Sequence, residues 1–250
     1  MGFAEDDLTR DAFLEGRVSA WQPRHGYRAA TDPVLLAAAV EARPGQSVLD
    51  LGCGVGVASL CLAARVPGLR ITGVERQADY ADLARRNAGG AMDIITTDIA
   101  YLPADLRQRS FDHVIANPPY YPAGGGTSAR DAGREAALRE DTPLGLWIDT
   151  AARRLAPRGW LTVIQAIDRL PDLLVAVQPR LGSISIRPLA ARDGRAATRV
   201  ILRARKGGRA PFTLLPPFVL HRGRCHEADR DDYTPEASEI LRTAAALPWA

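Results

Sequence analysis

Lysine is almost missing from this sequence, which has only Lys206, and cysteine is scarce, confined to Cys53, Cys61 and Cys225. Three cysteines leave one unpaired and no CxxC pair occurs, which excludes a disulfide framework and a zinc cluster. Cys225 and His226 stand together without a second pair of ligands, so no metal is expected. No apolar run approaches the roughly 18 residues that a membrane helix needs. The opening MGFAEDDLTR is acidic, unlike a basic leader, so a cytoplasmic chain with no membrane partner is expected. No internal repeat or low-complexity segment is visible.

What is present suits one large α/β domain: 250 residues, 46% of them apolar, can bury a full core. From Ser47 onward short β-rich runs alternate with helical stretches, the signature of a parallel sheet with crossover helices. Seven strands are expected, at Ser47–Leu51, Arg70–Glu75, Asp93–Thr97, Phe111–Ala116, Trp160–Gln165, Ser183–Arg187 and Arg199–Ala204. Helices are expected over Val57–Arg65, Gln77–Asn87, Arg134–Leu155 and Leu170–Val177, the third restarting at Thr142 and Pro143 because proline suits only a first turn. Residues 1–46 read as an N-terminal extension, with a strand pair in RVSAWQPRHGYR and a helix begun by Asp32 and Pro33. The core then covers 47–206, and 207–250 forms a C-terminal extension of the same domain that ends in a helix from Thr234 to Arg242. Gly124, Gly125 and Gly126 suggest a lid within 122–133.

VLDLGCGVGVASLCLAA is a buried strand, a turn with Gly52, Gly54 and Gly56, and a helix, an arrangement that brings backbone close to a ligand. A dinucleotide fingerprint would put its third glycine where Val57 stands, and Asp50 would repel a pyrophosphate. Both departures favour a cationic or amine-bearing ligand. Glu75, about 20 residues beyond the loop, can take the two hydroxyls of a ribose, and Asp98, with the backbone of Ile99, can meet an adenine edge.

The fourth strand ends in Asn117, Pro118, Pro119 and Tyr120. An exocyclic amine is a poor nucleophile because its lone pair is delocalised. The Asn117 side-chain oxygen and the Pro118 carbonyl can accept its two N–H bonds and stabilise the charge that develops on transfer. Pro119 fixes the direction of the Pro118 carbonyl, and Tyr120 offers a flat face for stacking. No titrating base is needed.

The set of loop, Glu75 and Asp98 resembles the S-adenosylmethionine site of class I methyltransferases. NPPY resembles the motif of enzymes that methylate adenine N6, guanine N2 or glutamine. The flanks QPRHGYRAATDPVLLAAAV, AARDGRAATRVILRARKGGRAPFTLLPPFVLH and YTPEASEILR resemble the bacterial tRNA1(Val) adenine N6-methyltransferase family, from about Gly16 to Arg242. The resemblance implies a Rossmann-like fold, a seven-stranded mostly parallel sheet with helices on both faces, and methylation of the adenine beside the anticodon of a valine tRNA. It implies that S-adenosylmethionine is held by Asp50, Gly52, Cys53, Gly54, Gly56, Glu75, Arg76, Asp98, Ile99 and Asn117. The target base is then held by Asn117, Pro118, Pro119 and Tyr120, with Tyr27, Arg28 and Tyr121 at the mouth.

From Arg192 to Arg230 ten basic residues face three acidic ones, and Arg203, Arg205, Lys206 and Arg209 are the candidates for gripping tRNA phosphates. Ribosomal-RNA guanine N2 methylation and release-factor glutamine methylation stay open as alternatives. So does a non-catalytic RNA-binding module that retains the cofactor fold, which Asn117→Ala would leave unaffected. Trp147 and Trp160 are expected in the core.

Overall fold

The computed structural model describes residues 2–122, 139–140, 142–223, 225 and 232–249. The glycines expected in a lid, and the start of the helix expected from Arg134, lie outside the described residues. Strands β1 (Leu8–Phe13) and β2 (Val18–Pro23) pair as an antiparallel hairpin. They turn through Leu14 and Glu15, both at φ +53°, and Gly16. The strand pair expected within Arg17–Arg28 is therefore shifted toward the N-terminus, because the left-handed turn falls before Arg17.

Helix α1 (Thr31–Ala38) follows, and then the alternation anticipated from Ser47. It runs β3 (Ser47–Leu51), α2 (Val57–Arg65), β4 (Arg70–Glu75), α3 (Ala78–Ala88), β5 (Met92–Thr96), α4 (Ala104–Gln108) and β6 (Phe111–Ala116). Short β7 (Tyr121–Pro122) pairs with β8 (Arg139–Glu140). After Pro143 come α5 (Leu144–Arg154), β9 (Leu155–Ala166), α6 (Leu170–Val177), β10 (Gly182–Arg192) and β11 (Ala197–Arg205). The chain closes with β12 (Thr213–Leu214), β13 (Phe218–His221) and α7 (Pro235–Thr243), which is capped by the Thr234 hydroxyl.

The main sheet has the order β12, β10, β11, β9, β6, β3, β4, β5, with β13 also on β10. Among the described residues it has nine strands rather than the seven expected. All seven expected strands are present, and the two added ones are segments too short to show a sequence period, which pair parallel with the edge of β10. Among the described strands of this sheet only β11 is reversed, antiparallel to both β9 and β10. Strand alternation sends Val48 to one face and Leu49 to the other. α1, α2 and α3 cover the first face, and α4, α5 and α6 the second.

The chain order leaves β3 toward β4 on one side and β6 on the other, and this switch point opens a crevice at the carboxyl ends of the strands. Leu51 stands opposite Ala116, so Gly52 and Asn117 leave the sheet side by side.

Candidate active site

At that crevice lies a cleft of about 1090 Å³, its open mouth included, lined by the glycine loop, the ends of β4 and β6, Thr97 to Ile99, Tyr27, Pro33 and Trp147. The loop needs its glycines for separate reasons. Gly52 has φ +67°, and a Cβ there would sit 2.6 Å from the Trp147 ring; Gly54 has φ +56° and faces Tyr27 with room to spare. Gly56, at φ +89°, packs toward Met92 and Ala84 instead of lining the cleft.

Asp50 is 2% exposed, and its carboxylate accepts the Ser59 hydroxyl at 2.7 Å. Burial pushes the Asp50 carboxyl up to about 7; the Ser59 bond opposes the rise and the nearby Glu75 charge adds to it. Glu75 accepts the backbone N–H groups of Gly54 at 3.0 Å and Gln77 at 2.9 Å. Burial raises its pKa, while those bonds pull it down. Asp98 accepts the Ala100 N–H at 2.8 Å and so caps a single turn beside the cleft. Cys53 and Ile99 are buried, and both line the cleft with Arg76.

Asn117 uses its amide nitrogen to reach the Tyr27 hydroxyl at 3.4 Å. Its side-chain oxygen is buried and has no partner among the described residues. Gln165, fully buried, brackets the next two peptides: its amide nitrogen lies 3.4 Å from the Pro118 carbonyl and 3.3 Å from that of Pro119. The Tyr120 hydroxyl donates to Asp32. Arg199 Nε donates to the same carboxylate oxygen at 3.1 Å, and the guanidinium lies 4.4 Å from the Tyr120 ring centre. Burial, then the Asp32 charge, holds the phenols of Tyr27 and Tyr120 well above the usual range, so both stay protonated.

Of the residues expected at the site, Asp50, Gly52, Cys53, Gly54, Glu75, Arg76, Asp98, Ile99, Tyr27 and Asn117 to Tyr120 meet around one cleft. Arg28 does not: it ties the β1–β2 hairpin together through Asp11, Thr9 and the Pro23 carbonyl. Tyr121 opens β7, but its side chain lies outside the described residues. The reversal of β11 sets Arg199 opposite Ala166 at the cleft end and Arg205 opposite Trp160 at the far end.

The expected phosphate grip is therefore at the other end of the strand, and most of it is engaged internally. Arg203 pairs with Glu41 and lies against Trp160 and Trp249, Arg205 donates to the Arg158 carbonyl, and Lys206 caps α5 through the carbonyls of Ala152 and Leu155. Arg209 is exposed.

Sequence reasoning did not assign Asp32, Arg199 or Gln165 to the site, and it read Trp147 as core alone. Trp147 is indeed buried, but it also lines the cleft, with its indole nitrogen unpartnered among the described residues. Asp32, expected with Pro33 to begin a helix as its cap, instead sits one residue inside the start of α1, too late to serve as a cap. Among the described residues no group of three or more His, Cys, Asp or Glu is placed to hold a metal, and no helix is long and apolar enough to cross a membrane.

A sheet with one reversed strand, a glycine loop at the switch point, a buried acid at the end of the next strand and an Asn-Pro-Pro-Tyr wall define a class I, Rossmann-like methyltransferase. The Trp147 indole nitrogen, without a partner among the described residues, the buried Asp50 and Glu75 carboxyls and the loop backbone that lines the cleft fit S-adenosylmethionine as its methyl donor. The chain belongs to the methyltransferase small domain family, whose model matches residues 30–174, and within it to the tRNA1(Val) (adenine(37)-N6)-methyltransferases. The enzyme of that name from Porphyromonas gingivalis is 32% identical over 223 residues, covering 82% of this chain and 87% of the relative. Its counterpart from Dickeya chrysanthemi is 32% identical over 202 residues, covering 77% and 78%. The crystal structure of a predicted O-methyltransferase, Atu636 from Agrobacterium tumefaciens, matches with a TM-score of 0.70 at 26% identity, over 86% of this chain and 98% of that one.

Proposed function

We propose that this protein methylates the N6 amine of an adenine in tRNA, by the names of its relatives the adenine beside the anticodon of a valine tRNA. The observation that carries the reading is the Asn117 side-chain oxygen, buried in the wall of the cleft and without a partner among the described residues. A buried acceptor left unsatisfied is costly, and a substrate N–H removes that cost on binding. An amine bound there gives one hydrogen to Asn117 and the other to the Pro118 carbonyl, which has a lone pair beyond its long contact with Gln165. Those two acceptors gain strength as positive charge builds on the nitrogen, which is where stabilisation lowers the barrier.

S-adenosylmethionine, when bound, supplies an electrophilic methyl group on a sulfonium. The residues for holding it are the Gly52 to Gly54 backbone, Glu75 for the ribose hydroxyls, Asp98 and Ile99 for the adenine, and Asp50 for the cationic end. Asp50, buried and with a carboxyl near 7, gains from a positive neighbour. A hydroxyl acceptor would need a base where Asn117 stands, and none is there. The planar target must leave its stack to enter the cleft, which a tRNA loop permits at lower cost than a duplex does.

A tRNA substrate gives the protein a cytoplasmic workplace. The flanks 1–46 and 207–250 are parts of the catalytic domain, a reading supported by the core that Leu8, Val34, Ile240 and Trp249 share with α2.

The test is transfer of labelled methyl from S-adenosylmethionine to unmodified bulk tRNA, followed by digestion to nucleosides. Label in N6-methyladenosine is expected; label in guanosine, or label only in ribosomal RNA or a release factor, would overturn the reading.

A further inference from the structure

Three distant segments converge on one phenol. Asp32 comes from the first turn of α1 and Tyr120 from the loop after β6, while Arg199 comes from the cleft end of the reversed β11. The Tyr120 hydroxyl donates to Asp32 Oδ2, and Arg199 Nε donates to the same oxygen at 3.1 Å. Tyr120 and Pro33 line the cleft, whereas Asp32 and Arg199 do not. The guanidinium lies over the Tyr120 ring, 4.4 Å from its centre, and so covers one of the two ring faces.

We propose that Asp32 and Arg199 are positioning residues that hold Tyr120 as a rigid stacking wall, so that the target base enters from one face only. This rests on the methylation of a base proposed above. The physical argument is geometric. A phenol on two rotatable bonds samples several rotamers, and a base stacked on it binds well only if that ring is already set. Asp32 fixes the hydroxyl end. Arg199 closes one ring face by a cation–π contact and, through its bond to Asp32, keeps the carboxylate aimed. Neither residue lines the cleft, so their loss should appear in RNA-dependent parameters and leave cofactor affinity alone.

A double-mutant cycle tests this. Asp32→Asn alone should lower kcat/KM for unmodified tRNA about tenfold to a hundredfold, as expected for a charge-assisted bond, with S-adenosylmethionine Kd by calorimetry within about twofold. In a Tyr120→Phe background the same change should cost less than about threefold, because the bond it removes is already gone. Arg199→Gln should behave likewise against Tyr120→Leu, with Arg199→Lys falling between wild type and Gln because it keeps charge but not the flat cover.

The Arg199 cycle also stands by itself if Asp32→Asn does not fold. Multiplicative losses in both cycles, or a parallel loss of cofactor affinity, would overturn the assignment while wild-type transfer to tRNA upheld the function. Wild-type protein that transfers nothing to tRNA would overturn the function and this inference with it.

Discussion

Replacing Gly52 by alanine separates two demands that the cofactor loop makes on one residue. The backbone there is left-handed, at φ +67°, which costs a residue with a Cβ about 1–2 kcal/mol. In addition, the new methyl carbon would lie 2.6 Å from Cη2 and 2.9 Å from Cζ3 of Trp147, whose ring is held in the core at 8% exposure. Overpacking of this kind costs about 1–3 kcal/mol, for a total of roughly 2–5 kcal/mol. Gly54→Ala is the natural comparison, since its φ is +56° but its nearest neighbour is Tyr27 at 3.8 Å; it should cost only the backbone part. Urea unfolding of both variants gives the stability difference, and calorimetry with S-adenosylmethionine shows whether the displaced loop still binds. Gly52→Ala should lose the larger amount, and Trp147→Leu in that background should recover part of it. Equal losses for the two glycines, or no recovery, would refute the close contact with Trp147 as the reason for glycine at 52.

Two other predictions follow from particular groups. Asp50 releases its proton near 3.8 when unfolded but near 7 in the folded protein. The unfolded state thus gives up its proton first, and stability without cofactor should fall as pH rises across that window and then level off. Asp50→Asn should flatten most of this slope in unfolding midpoints, while Glu75, shifted in the same direction by burial, leaves a remainder of the same sign; a slope unchanged in the variant would contradict the assignment. Lys206→Met removes bonds of 2.8 Å and 2.7 Å to carbonyls at the end of α5 and should destabilise the protein by about 1–2 kcal/mol. Its tRNA affinity should not change, and a drop in affinity at unchanged stability would return Lys206 to a role in gripping phosphate.

The parts of the site that were legible in sequence are those set by local backbone demands. Gly52, Gly54, Pro118 and Pro119 restrict their own dihedrals, and Asp50, Glu75 and Asn117 stand at strand ends marked by apolar runs, so spacing alone puts them in one crevice. Asp32, Arg199 and Gln165 were illegible for the opposite reason. Their partners lie far along the chain, and the direction of β11 decides which of its arginines reaches the cleft. The same reversal carries Arg203 and Arg205 to the far end, although all three arginines look alike in sequence. The edge strands β12 and β13 were missed because two to four residues carry no measurable period, and β1 was missed because LTRDAF mixes charge with only a partly buried face.

The most direct test of the central claim is the single-turnover rate of methyl transfer to unmodified tRNA by wild type and by Asn117→Ala. If the Asn117 oxygen serves the amine in the transition state, the rate should fall about 10²–10³-fold while S-adenosylmethionine Kd stays within a few-fold of wild type. A fall of less than about tenfold, or a rate lost only in step with cofactor affinity, would show that the amine is not held by Asn117 and would contradict the account.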